Sequence, residues 1–250
     1  MMKRRTILLK LEYCGTDFVG WQMQANHRTV QGELADKLRL FLRHDVKITG
    51  SGRTDSGVHA LAQYANFETN SAFRPVDIIH KLNLLLPKDI AVLECREVAD
   101  HFDSRRDAIQ RTYRYKICER PNAVDREFSW VLRKRYDISH LRRLSELIKT
   151  SRHFDNFCKT KSRRENNNCI IYESRWIRRG GFLVYEISAN RFLHHMVRLL
   201  VGAMIAVLEG LISDEHFELI LKNKIDEKAK YIAPACGLYL AEVGYERGSL

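Results

Sequence analysis

The chain has 250 residues, 45% of them apolar and 29% charged, with only 4 prolines and no low-complexity tract. This composition excludes a disordered or fibrous protein, and the length allows one domain or two modest ones. A formal net charge of +11 makes a polyanion the natural partner, with a merely solvated basic surface as the alternative.

The N-terminal MMKRRTILLKLEY has basic residues but neither the apolar run nor the small-residue cleavage site of a signal peptide. No stretch reaches membrane-spanning length; the longest candidate, 196–208, contains Arg198 and is too short. Basic residues recur at 105–106, Arg111, Arg114, 133–135, 159–164 and 175–179 rather than on one amphipathic helix, so a polyanion fits better than a membrane surface. The six cysteines contain no CxxC pair, which fits reduced, mostly buried thiols in a cytoplasmic protein and does not fit a zinc site.

Residues 6–13 alternate, with Ile7, Leu9, Leu11 and Tyr13 on one side, and read as a half-buried strand. After a turn at Gly15, residues Val30, Leu34, Leu38, Phe41 and Leu42 recur at helical spacing behind a candidate cap at Thr29. A short strand over 46–49 leads into a glycine-rich loop, and another strand covers 61–67. Pro75 opens a helix carrying Ile78, Ile79, Leu82 and Leu85, Pro87 closes it, and 90–98 read as a strand. The second half repeats this order without visible sequence similarity: strand 111–118, helix 139–149, strands 170–177 and 182–189, a helix after Asn190, a last helix over 214–222 and a strand over 238–245. The expectation is an α+β fold of two similar α/β subdomains, 1–105 and 106–250, sharing or abutting a sheet with a central cleft for a site.

The loop GSGRTDSGVHA, 50–60, has no GK[ST] of a phosphate-binding loop and no GxGxxG of a dinucleotide fold. Its glycines allow close backbone approach, and Arg53 and Asp55, two apart on an extended segment, would point the same way. Asp55 reads either as a turn former bonding its own backbone or as a reactive carboxylate. Between Met196 and Leu208 the single charge is Arg198. Its guanidinium needs a carboxylate or a phosphate unless it snorkels to solvent. On 111–118, Arg111, Tyr113, Tyr115 and Ile117 share one face and Thr112, Arg114 and Lys116 the other. Tyrosines beside arginines suit base stacking with phosphate contacts, while core packing is the alternative for the rings. His194 and His195 either touch RNA backbone or pack at a helix start.

Together these residues resemble the TruA-type family of tRNA pseudouridine synthases over nearly the whole chain. GRTDSGVHA is similar to that family's catalytic loop, with Ser56 where Ala is more usual, and further matches follow in order: YCGTDFVGWQ (13–22), RTYRY (111–115), SANRFLHHMVRLLVG (188–202) and PACGLYL (234–240). The resemblance implies isomerisation of uridine to pseudouridine without metal or organic cofactor, on a fold of two α/β subdomains around a mixed, mainly antiparallel sheet. It implies a homodimer acting on tRNA at uridines on the 3′ side of the anticodon stem-loop. It makes Asp55 the catalytic carboxylate, with Arg198 holding it charged, Arg53 propping the space a flipped base vacates, Tyr113 stacking on the uracil and Leu238 walling the pocket. Arg105, Arg111, Arg114, His194 and His195 remain candidates for RNA contact. Tyr13-Cys14-Gly15 departs from the family's usual Tyr-Asp/Asn-Gly, and HFDSRRDA (101–108) from its Phe-His-Ala-Arg-Phe, which bears on substrate choice more than on catalysis. Two other readings use the same residues: a synthase acting on another RNA such as rRNA, and a non-catalytic RNA-binding module. A metal-dependent nuclease would need clustered carboxylates, and the loop offers one.

Overall fold

The computed structural model describes residues 4–159 and 167–246. Residues 160–164 of the basic run and 1–3 of the basic N-terminus lie outside them. Among the described residues there are nine strands and five α-helices, an α+β fold. The ladders β1/β3, β1/β4, β2/β3, β5/β8 and β7/β8 are antiparallel and β5/β6 is parallel, so the pairing is mixed and mainly antiparallel. The chain forms two compact units, Met1–Ile109 with Leu240–Leu250, and Gln110–Tyr239. The first runs strand, helix, strand, strand, helix, strand, whereas the second opens with two strands, β5 and the short β6, before its first helix and only then repeats strand, strand, helix.

In the first unit the strands are β1 (Arg5–Tyr13), β2 (Thr49–Gly50), β3 (His59–Thr69) and β4 (Ile90–Val98), with helices α1 (Val30–Leu42) and α2 (Pro75–Leu85). β1 lies between β3 and β4, and its register sets Tyr13 opposite both Ala60 and Ile90. That register brings the chain leaving β1 beside the chain entering β3, which is where the glycine-rich loop ends. Residues Thr6 to Leu9 are buried on both faces, more than alternation predicts, and Thr6 spends its hydroxyl on Asp100 O at 3.2 Å. The expected strand over 46–49 shrinks to Thr49–Gly50 because the Ile48 carbonyl accepts from Gln31 Nε2 at 2.9 Å instead of from a strand. α1 starts where its cap predicts: Thr29 Oγ1 accepts from Gly32 N at 3.2 Å, and Val30, Leu34, Leu38 and Leu42 face the core. Pro75 opens α2, where a missing N–H costs nothing.

The second unit contains β5 (Ala108–Cys118), β6 (Trp130–Val131), β7 (Ile171–Arg179) and β8 (Phe182–Ala189), with α3 (Ile138–Thr150), α4 (Met196–Leu208) and α5 (Asp214–Leu221). β8 lies between β5 and β7, pairing Tyr185 with Tyr115 and with Trp176. The Trp176 and Tyr185 rings stand 4.9 Å apart, and Trp176 Nε1 donates to Met204 Sδ at 3.4 Å, which ties the sheet to α4. Every residue of α4 except Arg198 and Leu208 is buried. α4 is therefore a central helix, not one with a narrow apolar stripe, and Arg198 interrupts a core surface. The last strand, β9 (Leu238–Tyr245), starts in the second unit, and its residues from Leu240 onward neighbour β3 in the first. Tyr245 closes that strand by donating its hydroxyl to Ser104 O at 2.8 Å.

All six cysteines are free; Cys118, Cys158 and Cys169 are buried and Cys14, Cys95 and Cys236 half-buried. Burial pushes the Cys95 thiol up to about 12 and the Cys169 thiol up to about 11, so neither is a thiolate at neutral pH. Among the described residues no helix is long and apolar enough to cross a membrane. Replacing the α1 cap, Thr29→Ala, is expected to cost about 1 kcal/mol, read as a lower urea midpoint with an unchanged slope.

Candidate active site

The loop 50–60 is tied down from beneath by the segment that follows β1. Thr54 is buried between exposed Arg53 and half-buried Asp55, so the two charged side chains flank an inward anchor. The Thr54 and Tyr13 hydroxyls share a buried hydrogen bond of 2.8 Å, and the Thr54 carbonyl accepts from Trp21 N at 3.1 Å. Burial pushes the Tyr13 phenol well above its ordinary range, so it stays a neutral partner. Beyond Asp55, Gly57 N and Ser56 Oγ both donate to the Phe18 carbonyl, at 3.2 and 3.3 Å, and Val58 N closes a turn on Asp55 O at 3.2 Å. Before it, Ser51 Oγ donates to Gln63 Oε1 at 2.6 Å, and Gln63 Nε2 donates to Gly52 O at 2.9 Å. Gly50 is required by close approach: a Cβ there would stand 2.5 Å from the Trp21 ring. The backbone on both sides of Asp55 is thus bonded to fixed groups, which removes freedom from its carboxylate.

The segment 13–22 is itself clamped. Arg28 donates through both terminal nitrogens to Asp89, at 2.7 and 3.0 Å, and through Nε to Glu33 at 3.1 Å. Its guanidinium lies 4.1 Å from the centre of the Phe18 ring, and its carbonyl accepts from Val19 N at 2.9 Å. Those hydrogen bonds and carboxylate charges hold the Arg28 guanidinium even more firmly protonated than usual. A planar fork that pairs bidentately and stacks at once is a task for Arg and not for Lys. Sequence reasoning missed this clamp and the Tyr13–Thr54 pair; the motif 13–22 was visible, but nothing local states which loop it holds.

Arg198, Tyr113 and Leu238 belong to the second unit. Arg198 is half-buried on the first turn of α4; its Nε donates to Ala233 O at 2.8 Å, and its own carbonyl accepts from Ala233 N at 3.0 Å. One residue on, Pro234 O accepts from Tyr115 Oη at 2.8 Å. Burial, chiefly, pushes the Tyr115 phenol far above its ordinary value. The segment 231–238 is therefore strapped to α4 and to β5 and delivers Leu238, which is 5% exposed, at the head of β9. Gly202 permits this, because a Cβ there would run into the Tyr231 carbonyl. Tyr115 is fully buried, a packing residue, whereas Tyr113 keeps 9% exposure and meets the Phe192 ring edge-on at 5.0 Å.

The remaining candidates fall in different surroundings. Arg111 Nη1 donates to Asn190 O at 2.9 Å, and Arg114 pairs with Glu186 at 2.6 Å, a carboxylate that also takes Arg175. Burial opposes the charge on Glu186, but the two guanidinium partners outweigh it and hold its carboxyl below the ordinary range. Arg105 is exposed, in a turn capped by Asp103. His194 is exposed and His195 half-buried, with ring centres 4.2 Å apart, and His195 begins α4 in a left-handed conformation, φ +66°.

A family model described as tRNA pseudouridine synthase matches residues 11–105 and 151–246, and the chain belongs to that family. Curated relatives carry the more particular name tRNA pseudouridine synthase A. One from Dictyoglomus thermophilum is 40% identical over 241 residues, covering 95% of this chain and 98% of its own. Others, from Exiguobacterium sibiricum and Chlorobium chlorochromatii, are each 36% identical, covering 94% and 96% of this chain and 94% and 100% of theirs.

If the Tyr13–Thr54 bond sets the loop, Thr54→Val should cost about 1–2 kcal/mol in denaturant unfolding, the range for a lost buried hydrogen bond. In steady-state isomerisation assays it should lower kcat while leaving KM for tRNA near wild type.

Proposed function

We propose that this chain is a pseudouridine synthase that isomerises uridine in tRNA, with Asp55 as its catalytic carboxylate. The observation that carries the reading is a sole carboxylate on a loop bonded to fixed groups on both sides, in a chain of the tRNA pseudouridine synthase family. The N1–C1′ glycosidic bond breaks, the uracil turns, and C5 bonds to C1′; C5 loses a proton and N1 gains one, so nothing is consumed. Asp55 acts ionised, as nucleophile or base. Arg198 supplies the guanidinium that favours the charged form. Tyr113 stacks on the flipped base, Leu238 forms an apolar wall and Arg53 props the vacated stack. Arg105, Arg111, Arg114, His194 and His195 contribute contacts to RNA. The substrates are uridines on the 3′ side of the anticodon stem-loop, and the enzyme works in the cytoplasm as a homodimer.

Asp55→Asn should abolish tritium release from tRNA labelled at uracil C5, a loss of at least about 10²-fold; activity near wild type would sink the assignment. Arg198→Lys should lose most turnover while remaining folded, because a point charge does not reproduce the fork, with a modestly lower unfolding temperature because the Nε bond to Ala233 O is lost. Affinity for tRNA should fall steeply as salt rises, the mark of released counterions.

A further inference from the structure

The stretch between α3 and the end of β5 carries chemistry that isomerisation does not use. Parts of the segment 121–133 and Cys236 line an open cavity of about 670 Å³ in the second unit, with Arg126, Arg133, Trp130, Asn122 and Ser129 on its walls. The platform is pinned by strand pairing, ring packing and a side-chain hydrogen bond. β6 pairs Trp130 with Ile117 and Val131 with Cys118, Trp130 stands perpendicular to Tyr115 at 6.3 Å, and Ser129 Oγ donates to Asp125 O at 2.8 Å. Trp130 is half-buried, whereas Trp21 and Trp176 are 3% and 0% exposed. It is the tryptophan left open to a further ring.

The charges flanking this groove fall into two groups. Glu119 pairs with Arg178, Lys134 with Glu209, and Asp125 accepts from Asn122, which accounts for Glu119, Asp125 and Lys134 of this stretch. Arg126 and Arg133 are exposed and, among the described residues, neither guanidinium has an acidic partner. Arg133 also holds a left-handed backbone, φ +53°. That conformation is costly for a residue with a Cβ, and such outliers concentrate where binding requires a side chain in one place.

We infer that this groove is a second RNA-binding site, taking a single-stranded nucleotide run with a base on Trp130 and phosphates on Arg126 and Arg133. An aromatic platform flanked by unpaired guanidinium groups is the pattern that holds unpaired nucleotides, since every base has a face to stack and every linkage a phosphate. Glu127, also on the rim, disfavours a phosphate beside it. Through Cys236, which donates to Ser129 O at 3.6 Å, the groove borders the strap that leads to Leu238. An RNA handled at the pocket that Leu238 walls would thus have its neighbouring strand held here, an extension that rests on the reading as a tRNA enzyme.

The test uses the full chain, a short oligouridylate and unmodified tRNA. Oligouridylate should quench the tryptophan fluorescence of the wild type, and Trp130→Phe should remove that quench. Arg133→Gly should unfold at the same temperature or higher, because glycine relieves the left-handed backbone, yet weaken oligouridylate binding about fivefold or more. The double variant Arg126→Ala/Arg133→Ala should raise KM for tRNA by a similar factor with kcat within about twofold and flatten the salt dependence of binding. Quenching that survives Trp130→Phe, or oligouridylate affinity and KM unchanged in the arginine variants, would overturn the groove. A wild type that quenches with oligouridylate but isomerises no uridine in tRNA would leave the groove standing and overturn the enzymatic reading instead.

Discussion

The candidate catalytic loop depends on one buried hydrogen bond, that between the hydroxyls of Tyr13 and Thr54. A glycine-rich loop is a poor support for a reactive group, because glycine gives the backbone more conformations to lose. Thr54 resolves this by turning inward between Arg53 and Asp55, so that the residue anchoring the loop is neighbour to both charged groups it presents. Trp21 N and the Phe18 carbonyl complete the seat, and the Arg28 fork on Asp89 holds Phe18 in turn. The glycines then serve clearance: Gly50 makes room for an indole.

The second unit solves a similar problem differently. There the strap 231–238 has no regular structure before a single 3-10 turn at Ala235–Gly237, and the carbonyls of Ala233 and Pro234 are satisfied by side chains from regular elements, Arg198 of α4 and Tyr115 of β5. Arg198 thus has a structural duty through Nε in addition to any that its other nitrogens serve. This explains how a charged side chain is kept in a helix otherwise buried on all sides: the guanidinium satisfies a backbone acceptor that would be costly to leave alone. Electrostatics also divides the basic residues. Arg114, Arg175 and Arg178 are spent on Glu186 and Glu119, whereas Arg126 and Arg133 are not spent on acids among the described residues. Net charge alone does not distinguish these two groups.

Much of the element order was legible from periodicity and punctuation. β4, β8 and β9 fall on the expected residues, α4 follows Asn190 as expected, and Thr29 and Pro75 start α1 and α2 as their chemistry predicts. β6 was not legible, because two residues show no period, and the expected strand at 46–49 failed because a glutamine side chain from α1 competed for a carbonyl. The lone charge in 196–208 and the isolated carboxylate at 55 stood out for the same reason: each breaks a local pattern. What Arg198 bonds to on its own unit did not stand out, since the acceptor is a backbone oxygen.

Local sequence therefore determined most of the helices and longer strands, where α1 and α2 begin, and which residues are chemically out of place, because backbone sterics, side-chain alternation and end-capping act over a few positions. Tertiary structure alone decided that Tyr13 meets Thr54, 41 residues away, and that Tyr115 meets Pro234, 119 residues away. It also decided that the end of β9 joins the first unit and that Trp130 is the tryptophan left accessible. Such partners are set by strand register and by which faces pack, quantities that no single segment's propensity contains.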